Sequence, residues 1–162
     1  MKKTIPFSLM ILIMSIQIGC KNQNILIENN KAIARQFIEA WDNHDSVKVA
    51  SLYSDNFIYQ DMTFGFKISD NKNELKRFVN GTIKGAPDLH FKINSIIASD
   101  SITAIEWTWT GIFTGGWGEN YPANNKSFTI QGVSVMKIEN GLITHSKDYY
   151  DNKPFRKTLE FK

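Results

Sequence analysis

The sequence predicts an α+β fold: helices gathered on one face of a curved antiparallel sheet, with an internal pocket between them. Three observations predict it. Residues 30–42 carry apolar side chains at helical spacing. From residue 89 onward, long stretches alternate in the manner of strands. Short clusters of turn-forming residues separate those stretches, so neighbouring strands pair as a meander.

The elements follow in order. Ile33, Ala34, Phe37, Ile38 and Trp41 form one apolar stripe, which predicts a helix from Asn30 to Asp42. Asn43-His44-Asp45 breaks it. Asp45 or Ser46 caps a second, short helix that turns Val49, Leu52 and Tyr53 inward and ends at Asp55-Asn56. FIYQDM, residues 57–62, alternates as a strand. Asn71 followed by Glu74 resembles a capping box opening a third helix. Leu75, Phe78, Val79 and Ile83 form its buried side, and Gly85-Ala86-Pro87 ends it. Four strands are expected over 89–98, 102–113, 126–138 and 143–150. Ser99-Asp100-Ser101, a glycine-rich loop 114–125 and Glu139-Asn140-Gly141 join them, the last with the Asn-Gly pair that favours a tight hairpin. A short helix closes the chain after Asp151.

The chain has 162 residues, 22% charged and 42% hydrophobic, which suits one soluble domain with a real core. Its N-terminus is different in kind. Lys2 and Lys3 precede an almost wholly apolar run from Pro6 to Ile18, too short to span a bilayer comfortably and shaped like a secretory signal peptide. Ile18-Gly19-Cys20 resembles a bacterial lipobox, although Gln17 stands where that pattern has an apolar residue. The expected organisation is therefore a signal peptide over 1–19, a lipidated Cys20 with a polar tether to residue 29, and a single domain over 30–162. This organisation implies a protein of the bacterial cell envelope, exported and held by lipid; an uncleaved N-terminal anchor and a plain secreted protein are the alternatives. Cys20 is the chain's single cysteine, so the domain itself has no disulfide, thiol nucleophile or cysteine metal ligand. The formal charge of +3 includes two lysines of the signal segment; without them it is +1, which gives no case for nucleic-acid binding.

Two stretches carry a family resemblance. AIARQFIEAWDNHDSVKVASLYSDNFIYQD, residues 32–61, resembles the opening of the SnoaL-like polyketide cyclases, in the wider NTF2-like (nuclear transport factor 2) superfamily. WTWTGIFTGG, then the proline turn YPANNK, then FTIQGVSVMKIENGLITHSKDYYD resemble the family's second half. The likeness covers residues 30–160. It implies an NTF2-like cone, a curved antiparallel sheet wrapped around N-terminal helices with a pocket inside. That fold hosts cyclases, isomerases, dehydratases, hydrolases and non-catalytic binding proteins, so it does not by itself give the activity. The resemblance implies a catalytic acid/base on the last strand, at Asp148. It also implies an assisting histidine on the preceding strand, where this chain has Ser134, which hydrogen-bonds but does not titrate near neutral pH. YPANNK departs from the family's Pro-Thr-Gly. A homodimer through the open sheet face, at Thr129, Gln131, Val133 and Val135, is likewise implied.

The residues themselves extend this reading. Asp148 alternates with Ser146 and Tyr150; Ser134 shares a face with Phe128, Ile130 and Met136. An aspartate inside an apolar pocket has its charged form penalised, which raises its pKa toward the range useful for proton transfer at carbon. Ketosteroid isomerase, in the same superfamily by resemblance, works with an Asp base beside an oxyanion hole. Asp61 shares a face with Phe57 and Tyr59, and either lines the pocket as a second acid or caps a backbone turn. Asp151 is expected to cap the last helix, and His145 to lie on the face away from Asp148. Trp107, Trp109 and Phe113 share one face of the longest strand and read as core or as an aromatic wall for a ligand. Trp117, among glycines, reads as a lid or as a loop anchor. The candidate site is thus Asp148 and Asp61 for catalysis, with Tyr59, Trp41, Phe78, Ser134 and Trp117 binding substrate. The chain's three histidines have no ligand spacing, so no metal is expected, and no cofactor. Two functions stand: cofactor-independent acid/base catalysis of cyclase or isomerase type on a small, partly apolar molecule, or a non-catalytic ligand-binding or assembly module of the envelope.

Overall fold

The computed structural model describes the backbone of residues 7–117 and 121–160, and side chains from residue 23 onward except 154, 158 and 159. The first six residues of the expected signal segment, and the side chain of Cys20, lie outside what is described.

Helix α1 (Phe7–Asp42) is followed by α2 (Ser46–Ser51), strands β1 (Tyr53–Asp61) and β2 (Phe66–Ser69), and α3 (Lys72–Gly85). Then come β3 (His90–Ala98), β4 (Ile102–Ile112), β5 (Ser127–Glu139), β6 (Leu142–Tyr150) and α4 (Lys153–Leu159). The six strands form one sheet in the order β2-β1-β6-β5-β4-β3. The expected α+β architecture is present: N-terminal helices against a curved, unclosed sheet. The sheet is mixed, however, because β1 runs parallel to β6. Residues 62–141 lie between those two strands, so the chain has ample length for a parallel return.

Several boundaries move, each for a local reason. No proline or glycine interrupts residues 20–43, so the helix expected from Asn30 continues back through the segment read as a tether. The second helix ends at Ser51, and Asp55 and Asn56 belong to β1. Strand β2 was not expected; Gly65, at φ +73°, lets the chain fold straight back from β1, and β2 pairs antiparallel with it. The two predicted caps are made: Lys48 N donates to Asp45 at 2.8 Å, and Glu74 N donates to Asn71 at 3.0 Å.

The core lies between α1, α2, α3 and the inner sheet face. Phe37, Ile38, Val49, Leu75 and Val79 are buried against Tyr53, Phe57, Ile105 and Ile143. Asn30, fully buried on α1, donates from Nδ2 to the carbonyls of Ser99 and Asp100, both at 3.2 Å. This pins the β3–β4 turn to the helix. At the other end of α1, Asp42 accepts from Phe91 N at 2.8 Å and pairs with His90 Nδ1 at 2.7 Å. His44 Nε2 meets the Leu89 carbonyl at 3.0 Å. These two histidines tie helix to sheet.

Candidate functional site

Strand alternation builds the site. Residues two apart on a strand share a face, and residues paired across strands stand side by side. On the inner face, Asp61 of β1 pairs with Asp148 of β6, Asp148 with Ser134 of β5, and Ser134 with Ile105 of β4. The adjoining row holds Tyr150, Gly132 and Trp107. Gly132 is the gap that makes this row work. A Cβ there would fall 2.4 Å from the Trp107 ring. Without one, the indole lies across β5, and its Nε1 donates to Ser134 Oγ at 3.0 Å.

That contact sets the direction of the next one. An indole nitrogen only donates, so Ser134 accepts from Trp107 and turns its own hydrogen to Asp148 Oδ1, at 2.6 Å. Tyr59 donates to the other oxygen, Oδ2, at 2.9 Å. Asp148 has no cationic partner among the described residues. It is half-buried and lines the cavity. Desolvation raises its pKa from the ordinary 3.8 to about 6; the Ser134 and Tyr59 hydrogen bonds pull the other way, and the nearby Asp61 charge adds to the rise.

Asp61 is 4% exposed and does both things the sequence left open. It lines the cavity. It also caps the turn into β2, with Oδ1 accepting from Thr63 N at 2.9 Å and Phe64 N at 2.7 Å. Tyr150 donates to Oδ2 at 2.6 Å. Burial and the facing carboxylates raise the Tyr59 and Tyr150 phenols well above the usual tyrosine range, so both stay protonated donors. Behind them, Tyr53 and Ser146 share a buried 2.7 Å hydrogen bond.

The cavity above this row has a volume of about 450 Å³, within the range of small-molecule sites. Every candidate binding residue lines it: Tyr59, Trp41, Phe78, Ser134 and Trp117. Trp107 and Trp109 join the wall, so the aromatic stripe is core and lining at once. Trp117 is anchored, its Nε1 donating to the Gly81 carbonyl at 3.2 Å and its ring filling the space where Gly85 has no side chain. Trp109 Nε1 is buried with no partner among the described residues. The other expectations separate cleanly. His145 is exposed on the outer face, and Asp151 accepts from Lys153 N at 2.9 Å at the start of α4, where Asn152 is the cap residue. Tyr150, Phe64, Phe66, Phe91 and Tyr121 also line the cavity and were not singled out from the sequence. For Tyr150 the signal was available, since it shares Asp148's parity.

Comparison with known proteins gives the class. Residues 31–159 match the family model described as SnoaL-like polyketide cyclase, and the chain belongs to that family. A search of the curated proteins found no match. Among solved structures, AclR from Streptomyces galilaeus is similar at 18% identity and TM-score 0.72, covering 83% of this chain and 97% of that one. A protein of ketosteroid isomerase-like fold from Catenulispora acidiphila, solved with trimethylamine, shares 15% identity at TM-score 0.68, covering 80% and 93%. TsrD from Streptomyces laurentii shares 14% at TM-score 0.70, covering 82% and 95%. At these identities the likeness is one of fold.

Proposed function

We propose that the chain binds a small, partly apolar molecule in this cavity and moves a proton on it without a cofactor, in a reaction of cyclase or isomerase type. One observation carries the reading: a carboxylate with no cationic partner among the described residues, oriented by two hydroxyls, opens on an aromatic cavity, and burial pushes its pKa up to about 6. Such a group is ionised at neutral pH yet returns a proton readily. Asp148 takes a proton from a carbon beside a carbonyl, and the electron pair of that C–H bond moves onto the carbonyl oxygen. The enolate then attacks an electrophile in the same molecule, or is protonated at another carbon, and Asp148 returns the proton. Tyr59 and Ser134 hold the carboxylate in place, and Asp61 fixes the wall beside it.

The test is solvent-deuterium incorporation into a panel of β-keto esters and cyclic ketones. Incorporation accelerated by the protein and lost in Asp148→Asn is the expected result. Binding with no exchange across the panel would favour the second reading, a non-catalytic ligand-binding module. Ser134, standing where the resemblance has a histidine, is what speaks for that reading.

Two further proposals concern context. The basic-apolar-Gly-Cys order of residues 2–20 supports export and lipidation at Cys20. Mass spectrometry of the mature N-terminus tests it. The outer face, where Ile97 and Tyr149 are exposed beside Gln131 and Val133, supports pairing of two copies. Sedimentation of Val133→Lys against the native chain tests that.

A further inference from the structure

The charge of the cavity wall is one-sided. Its described lining holds two carboxylates, Asp61 and Asp148, and no Lys, Arg or His. The same wall gathers all four tryptophans of the chain: Trp41, Trp107, Trp109 and Trp117. Both features favour one ligand chemistry. Aromatic faces carry negative quadrupole density and attract cations, tryptophan most strongly. Two acids among low-dielectric walls focus a negative potential that no described lining residue neutralises. An anionic ligand meets repulsion. A neutral one packs against the rings but leaves both acids without a counter-charge.

The hydrogen bonding points the same way. Three hydroxyls, those of Ser134, Tyr59 and Tyr150, donate to the two carboxylates, and Asp61 takes two backbone N–H groups as well. These contacts satisfy the carboxylate oxygens while adding no positive charge. The Trp107 and Tyr150 rings lie next to each other beside Asp148, with centroids 5.9 Å apart.

We propose that the ligand of this cavity is an organic cation: an amine or quaternary ammonium on an apolar body, its charged head beside Asp148 and among the rings of Tyr59, Trp107 and Tyr150. The proposal rests on the reading that this cavity is the ligand site, and names the chemical class that enters it. The cation supplies the counter-charge the fold withholds.

Because every tryptophan lines the cavity, intrinsic fluorescence of the full-length chain reports occupancy directly. The probes are choline and 3,3-dimethylbutan-1-ol, which match in shape and differ by nitrogen against carbon. At pH 8 choline is expected to bind about tenfold or more tightly than its neutral twin. That preference is expected to vanish in Asp148→Asn and to persist in Asp148→Glu. Should the Asn variant fail to fold, the comparison on the native chain still decides. Equal binding of the two probes, tighter binding of the alcohol, or no binding of choline overturns the proposal. If deuterium exchange into neutral carbon acids is also seen, only the cation is lost and the acid/base reading stands. If neither probe nor any carbon acid binds, both fall.

Discussion

Asp61 and Asp148 stand side by side across the β1–β6 pair, on one face, in one cavity, and their carboxylates are held differently. The difference lies in what the chain does next. After Asp61 the backbone curls at once through Gly65 into β2, and the freed N–H groups of Thr63 and Phe64 close onto its Oδ1. After Asp148 the strand runs on to Tyr150, and among the described residues only side-chain hydroxyls reach its carboxylate. Two identical residues thus become a turn-capping carboxylate and a carboxylate held by side-chain hydroxyls. Environment, not residue type, makes the difference.

Asp148→Asn breaks the comparison hardest. Proton transfer should fall by about 10²–10⁴-fold, the usual contribution of a positioned general base. Stability should move the opposite way. Below pH 3.8 Asp148 holds its proton folded and unfolded, and costs nothing. As pH climbs, the unfolded chain loses that proton first, so stability present at low pH is lost up to about pH 6 and then levels off. The full difference corresponds to about 3 kcal/mol at most, less what water in the cavity screens. Urea titrations at pH 3.5 and pH 8 should show the variant gaining on the native chain only at the higher pH.

Asp61→Ala probes the other partner. It strips the turn of its cap and leaves the half-buried Tyr150 hydroxyl unpaired, so we expect a loss of about 2–4 kcal/mol in urea unfolding. A neutral outcome would mean Asp61 is no anchor. Gly132→Ala comes next. Its Cβ displaces the Trp107 ring, and overpacking of this kind costs about 1–3 kcal/mol. Weakened Trp107 to Ser134 bonding should appear in the same variant as an altered pH–rate profile. The smallest change is Ser134→Ala. Removing a hydrogen bond that holds the Asp148 pKa down should raise it above 6, by an amount that carboxyl-carbon NMR resolves. A fall on that substitution would contradict the assigned donor direction.

Much of this site was legible because strands alternate with a period of two. Tyr59 and Asp61 had to share a face, as did Ser146, Asp148 and Tyr150. Apolar companions marked which face was inner. Helical spacing placed Trp41 and Phe78 toward the same interior, and Asp45 and Asn71 announced two helix starts. β2 stayed hidden because four residues after a sharp turn carry too short a pattern to separate from loop. Asn30 stayed hidden because a polar residue near a helix start reads as solvated until a distant turn is brought against it.

By itself, then, the sequence determined the elements other than β2 and their inward faces, since these follow from local periodicity and capping chemistry, and the family resemblance pointed to the acid on the last strand. Only the tertiary structure decided how each acid is held. The parallel return of β6 beside β1 sets Asp148 next to Asp61, and the absence of a side chain at Gly132 lets Trp107 reach across β5 to orient Ser134. Both depend on contacts between strands far apart in the chain, and no local pattern encodes such pairings.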